Sequence, residues 1–323
     1  MDIWNQTTKC VTIPAKLLWT VKEHAGPVET VAFSQDRKLL ASGGRDGTGR
    51  LWDMTSSKPK ALAVFRKPGD SFRSLAFSPN RQYLAAGSVN GTVSLFAVAM
   101  NVTQEIRVLR GARGAINSIA FSADGKQLAG GGDDLALRIW EPGATTGGDA
   151  RILLPGHNQP IRDVAFAPNG LCIATAGQDS SARVWAMGPV RPNQKMYLQH
   201  RSAVTAITYS PDGMCVATSQ KDGLIWLWDI TSSKPTVQTE LAGHTGGTRL
   251  ALIASDGETL VSVGENREVT SWNLRTRKPQ HKWELPAGDA SSIALTPDGR
   301  YLARGMADGT LEVFRVAEKR AVV

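Results

Sequence analysis

The sequence contains little cysteine and no long apolar run. Its three cysteines, Cys10, Cys172 and Cys215, lack the paired spacing of metal ligands. An odd, sparse set argues against a disulfide framework and favours a reducing compartment, so we expect a cytoplasmic protein. No apolar segment reaches the roughly 18 residues of a membrane span, and the opening residues, MDIWNQTTKC, do not resemble a signal peptide. We therefore expect no membrane span.

Charge of one sign is not concentrated in any segment. The net charge is +8, from 37 basic and 29 acidic residues, but the two signs are interspersed without a run of five or six like charges. A basic excess permits an acidic partner such as nucleic acid. The mixed distribution favours the simpler interpretation that the charge keeps the protein soluble.

One pattern recurs seven times. Each copy, which we call a unit and number in chain order, ends on an aromatic anchor, and the anchors lie 42 to 45 residues apart. The anchors are Trp52, Phe96, Trp140, Trp185, Trp228, Trp272 and Phe314. Six residues before each anchor stands a turn-forming residue: Asp46, Asn90, Asp134, Asp179, Asp222, Asn266 and Asp308. Between these columns, apolar residues alternate with polar ones and turn sequences such as SPDG follow, a pattern typical of β-hairpins.

Four units also carry a histidine 28 residues before the anchor, preceded by glycine in GHNQ and GHTG, and two anchors are followed by aspartate, at Trp52-Asp53 and Trp228-Asp229. This arrangement resembles the WD40-repeat β-propeller family, and the regular, compact repeats resemble bacterial-type WD40 domains. The resemblance covers nearly the whole chain. It implies one all-β domain over residues 1–323, a single seven-bladed propeller of four-stranded antiparallel blades, with residues 1–12 and 317–323 as peripheral termini.

The last unit supplies only three strands before the chain ends. An N-terminal strand within LLWTVKEH precedes unit one and has no blade of its own. We therefore predict that the N-terminal strand completes the last blade, which closes the ring and removes the open sheet edges.

The resemblance also implies a buried hydrogen-bond network in units one, four, five and six. A hydroxyl stands ten residues before the anchor in these units and is absent from the other three, which also lack the histidine. Since an unpaired buried polar group costs about 1–3 kcal/mol, a half-built network is worse than apolar packing, and both members should be lost together. The network residues are His24, Ser42, Asp46 and Trp52; His157, Thr175, Asp179 and Trp185; His200, Thr218, Asp222 and Trp228; and His244, Ser262, Asn266 and Trp272.

Catalytic chemistry has few candidates. Four of the five histidines belong to the network, and His281 stands alone in an outer strand. The aspartates of the turn column occur one per blade, so they do not form a metal site. We predict no catalytic residue, no metal and no cofactor, and hence a protein that is not an enzyme.

Surface recognition remains, and the resemblance implies that partners dock on one rim of the ring. The positions that map to this rim vary in charge from unit to unit, and five of the ten candidates are arginines. The candidates are Glu29, Arg45, Arg73, Asn117, Arg162, Thr205, Lys221, Arg249, Ser291 and Arg304. Their arginines could bind acidic or phosphorylated peptides, or simply pair with neighbouring acids. Arg304, which replaces the hydroxyl of unit seven, could pair with Asp308 or project into the central channel.

The predicted function is a non-enzymatic protein-protein interaction scaffold, monomeric, with an unidentified protein or peptide partner. By analogy with bacterial WD40 domains, it could form part of a larger signalling protein. The alternative is binding of nucleic acid or another phosphate surface by a basic opposite rim. That rim carries Lys58, Lys60, Lys126, Lys234, Arg275, Arg277, Lys278 and Arg300, but it has few aromatic residues for base stacking.

Overall fold

The computed structural model describes residues 12–316, apart from 57–58, 100–101, 145–147, 151 and 189–191. These residues form 29 β-strands in seven sheets. The predicted fold is confirmed: the protein is a seven-bladed β-propeller whose blades are four-stranded and antiparallel. Over the same residues, no helix is long and apolar enough to cross a membrane.

The blades follow the chain, and each is numbered after the unit whose anchor it contains. Blade one comprises β3 (Val28–Phe33), β4 (Leu39–Gly44), β5 (Thr48–Asp53) and β6 (Lys60–Arg66). Blade two comprises β7 (Phe72–Phe77), β8 (Tyr83–Ser88), β9 (Val93–Ala99) and β10 (Val102–Leu109). Blade three comprises β11 (Ile116–Phe121), β12 (Leu128–Gly132), β13 (Ala136–Trp140) and β14 (Ile152–Pro155). Blade four comprises β15 (Ile161–Phe166), β16 (Cys172–Gly177), β17 (Ser181–Ala186) and β18 (Asn193–Gln199).

The remaining three blades complete the ring. Blade five comprises β19 (Val204–Tyr209), β20 (Cys215–Gln220), β21 (Leu224–Asp229) and β22 (Thr236–Ala242). Blade six comprises β23 (Thr248–Ile253), β24 (Thr259–Gly264), β25 (Glu268–Asn273) and β26 (Lys278–Glu284), and the short β1 (Thr12–Pro14) is added at its outer edge. Blade seven comprises β27 (Ala290–Leu295), β28 (Tyr301–Met306), β29 (Thr310–Arg315) and, as its outer strand, β2 (Lys16–Lys22).

Ring closure depends on β2, which pairs antiparallel with β29 from Lys16–Arg315 to Lys22–Thr310. Trp19 of β2 is buried and lies 6.4 Å, between ring centroids, from Trp52 of blade one. One apolar cluster therefore spans the junction of blades seven and one. Burial of a large apolar side chain contributes about 1.5–3 kcal/mol, so the N-terminal strand stabilises the junction as well as covering the edge.

The N-terminal segment reaches one blade further than the sequence predicted. Strand β1 runs parallel to β26, with Thr12 opposite Lys282 and Pro14 opposite Glu284. Thr12, the last residue of the predicted peripheral segment 1–12, is thus paired within a sheet. Residues 1–11 and 317–323 lie outside the described residues.

The hairpin between the first and second strand of each blade turns through a residue with positive φ. Glycine holds this position in blades three to seven, where it adopts positive φ without steric cost. Arginine holds it in blades one and two: φ is 64° at Arg37 and 58° at Arg81. Arg37 contacts Asp298 of blade seven, and Arg81 lies 3.0 Å from Asp36 of blade one. These two turns thus form ion pairs between neighbouring blades.

Candidate functional site

The buried network is complete in blade four. His157 Nδ1 lies 3.0 Å from Asp179 Oδ2, and its Nε2 lies 2.8 Å from Thr175 Oγ1. The indole of Trp185 donates to the same hydroxyl over 3.1 Å. Glycine makes this contact possible, because a Cβ at Gly177 would lie only 2.3 Å from His157 Nδ1.

Blade one repeats the arrangement. His24 Nε2 lies 2.8 Å from Ser42 Oγ, its Nδ1 lies 3.3 Å from Asp46 Oδ1, and Trp52 donates to Ser42 over 3.0 Å. A Cβ at Gly44 would again meet both the imidazole and the carboxylate, at 2.7 Å from each. Sequence reasoning omitted this glycine, although it occurs two residues before the acid in both blades.

Blade five departs from the prediction because Gln220 takes the place of that glycine. Gln220 is fully buried, and its amide atoms have no hydrogen-bond partner among the described residues. His200 still reaches Thr218 over 2.8 Å, but its Nδ1 donates to the carbonyl of Leu198 over 2.9 Å. Asp222 is exposed and makes no hydrogen bond to His200. The assignment of Asp222 to this network was therefore wrong: blades one and four have a glycine at this position, where a Cβ would crowd both the imidazole and the carboxylate, and blade five has Gln220 instead.

Blade six keeps half of the network. His244 Nε2 lies 2.8 Å from Ser262 Oγ, and Trp272 donates to the same oxygen over 2.9 Å. Asn266, in the place of the acid, donates to Thr245 over 3.1 Å. Nδ1 of His244 has no partner of ordinary hydrogen-bond geometry in the described part of the chain.

Each blade without the histidine has a buried or half-buried cation instead. In blade two, the half-buried Lys67 pairs with Asp70 at 3.4 Å, and its Nζ also contacts Thr92 and lies 3.0 Å from Ser88 Oγ. In blade three, the buried Arg138 pairs with Asp134 at 2.6 Å. An ionic contact, rather than apolar packing alone, thus replaces the imidazole.

Blade seven follows the same rule through Arg304. Its Nε donates to Glu312 over 2.5 Å, and its Nη1 donates to the carbonyl of Pro286 over 2.8 Å. The guanidinium lies 5.2 Å from the ring centroid of Phe314, and only 1% of the residue is exposed. Arg304 was therefore wrongly placed among the partner-binding residues: it pairs with Glu312 rather than Asp308, and it belongs to the interior of the blade.

Burial keeps the network histidines neutral. It lowers the pKa of His200 and of His244 to about 4. The pKa values of His24 and His157 also fall, because desolvation outweighs attraction to their aspartates. A neutral imidazole with both nitrogens engaged, as in blades one, four and five, is a structural connector and a poor general base.

The predicted rim residues converge on the central opening. A cavity of about 530 Å³ lies at the channel mouth between the first strands of the blades. Six rim candidates line it: Arg73, Asn117, Arg162, Thr205, Arg249 and Ser291. Glu29, Arg45 and Lys221 are not among the lining residues, and Glu29 pairs with Arg45 at 3.0 Å.

The three lining arginines do not pair with acids in the described structure. Arg162 donates to the side-chain amide of Gln178 over 2.7 Å, and Arg249 donates to the carbonyl of Ala290 over 2.5 Å. Arg73 is exposed and has neither a hydrogen bond nor an ion pair with a described residue. The alternative of simple pairing with neighbouring acids therefore does not describe these side chains.

Polar contacts between blades hold the wall of the cavity. Asp163 accepts hydrogen bonds from Ser118 Oγ of blade three at 2.8 Å and from the amide of Ile207 in blade five at 2.9 Å. Burial raises the pKa of Asp163. On the opposite side, Ser292 donates to the carbonyl of Val28 over 2.7 Å. These bonds link the first strands, so the mouth has a rigid frame.

The opposite rim carries the predicted basic side chains on its loops. Arg275 and Arg277 are exposed on the turn before β26, and the exposed Lys278 is the first residue of that strand. Arg300 is partly neutralised by Asp298 at 3.8 Å. Lys58 lies outside the described residues.

Comparison with known proteins agrees with the fold. The profile of the family "WD domain, G-beta repeat" matches residues 15–53, 60–96, 103–141, 148–186 and 192–229. Short stretches are similar to curated proteins. One stretch of 58 residues is 43% identical to the small ribosomal subunit protein RACK1y of Oryza sativa subsp. japonica, and it covers 18% of this chain and 16% of that protein. The serine-threonine kinase receptor-associated protein of Gallus gallus is 49% identical over 45 residues, 14% of this chain and 13% of the relative.

A third relative, the MST50-interacting protein 11 of Pyricularia oryzae, is 54% identical over 35 residues, 11% of each chain. The matches thus span at most 16% of these relatives, about one repeat each. The profile matches more than half of the chain, in register with the first five blades. Since blades six and seven repeat the same strand order, the chain belongs to the WD40-repeat family.

Proposed function

We propose that this protein is a non-enzymatic interaction scaffold that binds peptides or partner domains on the channel-mouth rim. We define this rim as Glu29, Arg45, Arg73, Asn117, Arg162, Thr205, Lys221, Arg249 and Ser291. The ligands that fit it best carry acidic or phosphorylated side chains, because a guanidinium can donate two parallel hydrogen bonds to a carboxylate or phosphate.

One observation carries this proposal. Arg73, Arg162 and Arg249 surround one opening and have no acidic partner among the described residues, although most polar side chains of the blades are engaged. Each arginine lies on a blade that is held together by backbone hydrogen bonds between its strands and linked to its neighbours by inter-blade hydrogen bonds. A rigid frame with unpaired charges suits recognition, since little order is lost on binding.

The names of the relatives support the same class of function. One is described as receptor-associated and another as an interacting protein. Their similarity covers single repeats, so their own partners are not transferred to this chain. WD40 propellers generally act as non-enzymatic platforms, and the buried, neutral histidines support the same role here.

The cellular setting is part of the proposal. We propose a cytoplasmic monomer, on the basis of the sparse unpaired cysteines and the closed sheet edges. From the repeat pattern, we also propose that the protein forms a domain of a bacterial signalling protein. The relatives named above come from a plant, a fungus and a bird, so they give that setting no support.

Affinity capture tests the rim. Wild-type protein is compared with a variant in which Arg73, Arg162 and Arg249 are replaced by Glu, and with a matched control in which Arg275, Arg277 and Lys278 are replaced by Glu. We expect the first variant to lose partners that the control retains. Identical partner sets from wild type and the first variant would contradict the proposed rim.

The second candidate function is binding of nucleic acid by the opposite rim. It rests on Arg275, Arg277 and Lys278, three exposed basic residues within a stretch of four. Salt-sensitive retention on nucleic acid, lost only in the Arg275/Arg277/Lys278 variant, would favour this function over the scaffold.

A further inference from the structure

We propose that the channel mouth is a binding site for a compact polyphosphate, held by Arg73, Arg162 and Arg249. This inference is independent of the proposed function, because a small anion could occupy the cavity whether or not a protein docks on the rim. The three arginines belong to blades two, four and six and line the same cavity of about 530 Å³. They therefore approach one volume from three directions, as a compact ligand with several charged groups requires.

The size of the cavity suits a small molecule. Ligand sites commonly measure about 300–1,000 Å³, and this cavity falls within that range. An extended peptide would instead use contacts that follow one line across the rim. Cations on alternate blades around a closed opening favour a compact ligand over a linear one.

The charge balance of the lining favours an anion. The cavity is lined by three guanidiniums and two carboxylates, those of Asp163 and Glu265. The carboxylate oxygens of Asp163 already accept hydrogen bonds from Ser118, Ile207 and Val164 in the cavity wall. Glu265 is the remaining carboxylate among the described lining residues. The arginines therefore leave an excess of positive charge at the mouth.

The guanidiniums retain unused donors. Each has five N–H groups. One nitrogen of Arg162 donates to Gln178, and one nitrogen of Arg249 donates to Ala290. Both acceptors are neutral, so they orient the guanidinium without cancelling its charge. Arg73 makes no hydrogen bond or ion pair with a described residue, so binding would cost it only side-chain freedom.

The exposed Ser291 adds a hydroxyl at the same mouth. It lies on blade seven, in the wider gap between the arginines of blades six and two. A hydroxyl can donate to a phosphate oxygen without adding negative charge. The site would then have donors on four of the seven blades.

Calorimetric titration of the full chain with inorganic tripolyphosphate and, separately, inositol hexakisphosphate tests this site and distinguishes a linear from a cyclic ligand. We expect saturable binding of one molecule per chain by at least one probe at low salt, weakened by added salt. Each single change, Arg73→Gln, Arg162→Gln or Arg249→Gln, should weaken binding by about tenfold or more, since a charge-assisted hydrogen bond contributes that much.

The matched control replaces Arg275, Arg277 and Lys278 with Gln, which removes the same net charge from the opposite rim. It should bind within about twofold of wild type. Absence of saturable binding to both probes, or equal weakening in the control and in the Arg73/Arg162/Arg249→Gln variant, would overturn the inference. If neither polyphosphate binds but partner capture still depends on the three arginines, the inference fails while the proposed function stands.

Discussion

A buried polar network is stable only when each donor and acceptor in it has a partner, and the blades of this propeller satisfy that condition to different degrees. In blade four, His157 is engaged at both nitrogens. In blade five, the amide of Gln220 is buried without a partner. One position, two residues before the turn acid, separates the two cases.

Alanine at this position should destabilise the two blades to different degrees. Gly177→Ala should destabilise the protein by about 2 kcal/mol or more, because the Cβ would overlap His157 and Asp179 in a closely packed interior. Gln220→Ala should cost less than about 1 kcal/mol, because it removes two unpaired polar atoms along with the methylenes. Urea denaturation of both variants measures the difference. Equal losses would contradict this account of the glycine.

Histidine protonation should make stability depend on pH. The pKa of His200 and of His244 is about 4 in the folded chain against 6.5 for a free imidazole. Between these values the unfolded chain binds protons that the folded chain does not, so the free energy of unfolding should fall as pH drops from 6.5 to 4. Each histidine accounts for a few kcal/mol over this window, and the full contribution is present above pH 6.5.

Urea midpoints measured across this window should give a flatter pH profile for His200→Gln and for His244→Gln. The control is His281→Gln, on the exposed surface, whose profile should match that of wild type. Asp163 contributes with the opposite sign, because burial raises its pKa, but it is unchanged in all three variants. Profiles that do not differ between the buried and the exposed substitutions would refute the assignment.

At this scale, the sequence predicted residues that repeat and missed residues that vary. The imidazole, hydroxyl and indole columns could be read from spacing alone. Gln220 could also have been found, since glycine stands at its position in units one, three, four and six. The contact between Arg304 and Glu312 was not predictable, because two buried side chains of opposite charge can be recognised as partners only once strands β28 and β29 are in register.

Among the elements, the hairpins of blades one and two combine a conformational cost with an inter-blade contact. Arg37 and Arg81 adopt positive φ, which costs a non-glycine residue about 1–2 kcal/mol. Their ion pairs with neighbouring blades are partly exposed and contribute at most about 1 kcal/mol each. Cost and gain nearly cancel in these turns.

Two substitutions at Arg37 separate these contributions. Arg37→Gly loses the contact with Asp298 but relieves the backbone, whereas Arg37→Ala loses the contact and keeps the strained φ. The glycine variant should therefore be more stable than the alanine variant by about 1 kcal/mol. Gly125→Ala is the matched control: it introduces a similar backbone cost, at φ 71°, in a turn with glycine. Thermal unfolding of the three variants decides the matter, and identical stabilities at Arg37 would count against backbone strain.

Strand positions were predictable because the same alternation of apolar and polar residues recurs in all seven units. The parallel pairing of β1 was not, because its three residues are too few to show a period. Its register depends on the exposed edge of β26, which exists only in the assembled blade. Local pattern therefore determined the blades, and tertiary packing determined this addition.

For the molecule as a whole, the N-terminal segment connects two blades. Deletion of residues 1–22 should remove β1 and β2, expose the edge of β29 and withdraw Trp19 from the core. We expect a lower melting temperature and self-association through the open edge. Calorimetry and light scattering measure both effects. Deletion of residues 1–15, which leaves β2 in place, is the control and should have a smaller effect; a monomeric 1–22 deletion with an unchanged melting temperature would contradict this role.

The pairing of β2 with β29 also constrains the order of events during synthesis. Leu17 pairs with Phe314, so β2 cannot complete its sheet until residue 314 has been synthesised. Blades one to six can form hairpin by hairpin as they emerge, but Trp19 stays without its packing partners in blade seven until that blade has been synthesised. Ring closure therefore follows the synthesis of the other six blades, and the nascent chain must keep an apolar strand from mispairing throughout that period.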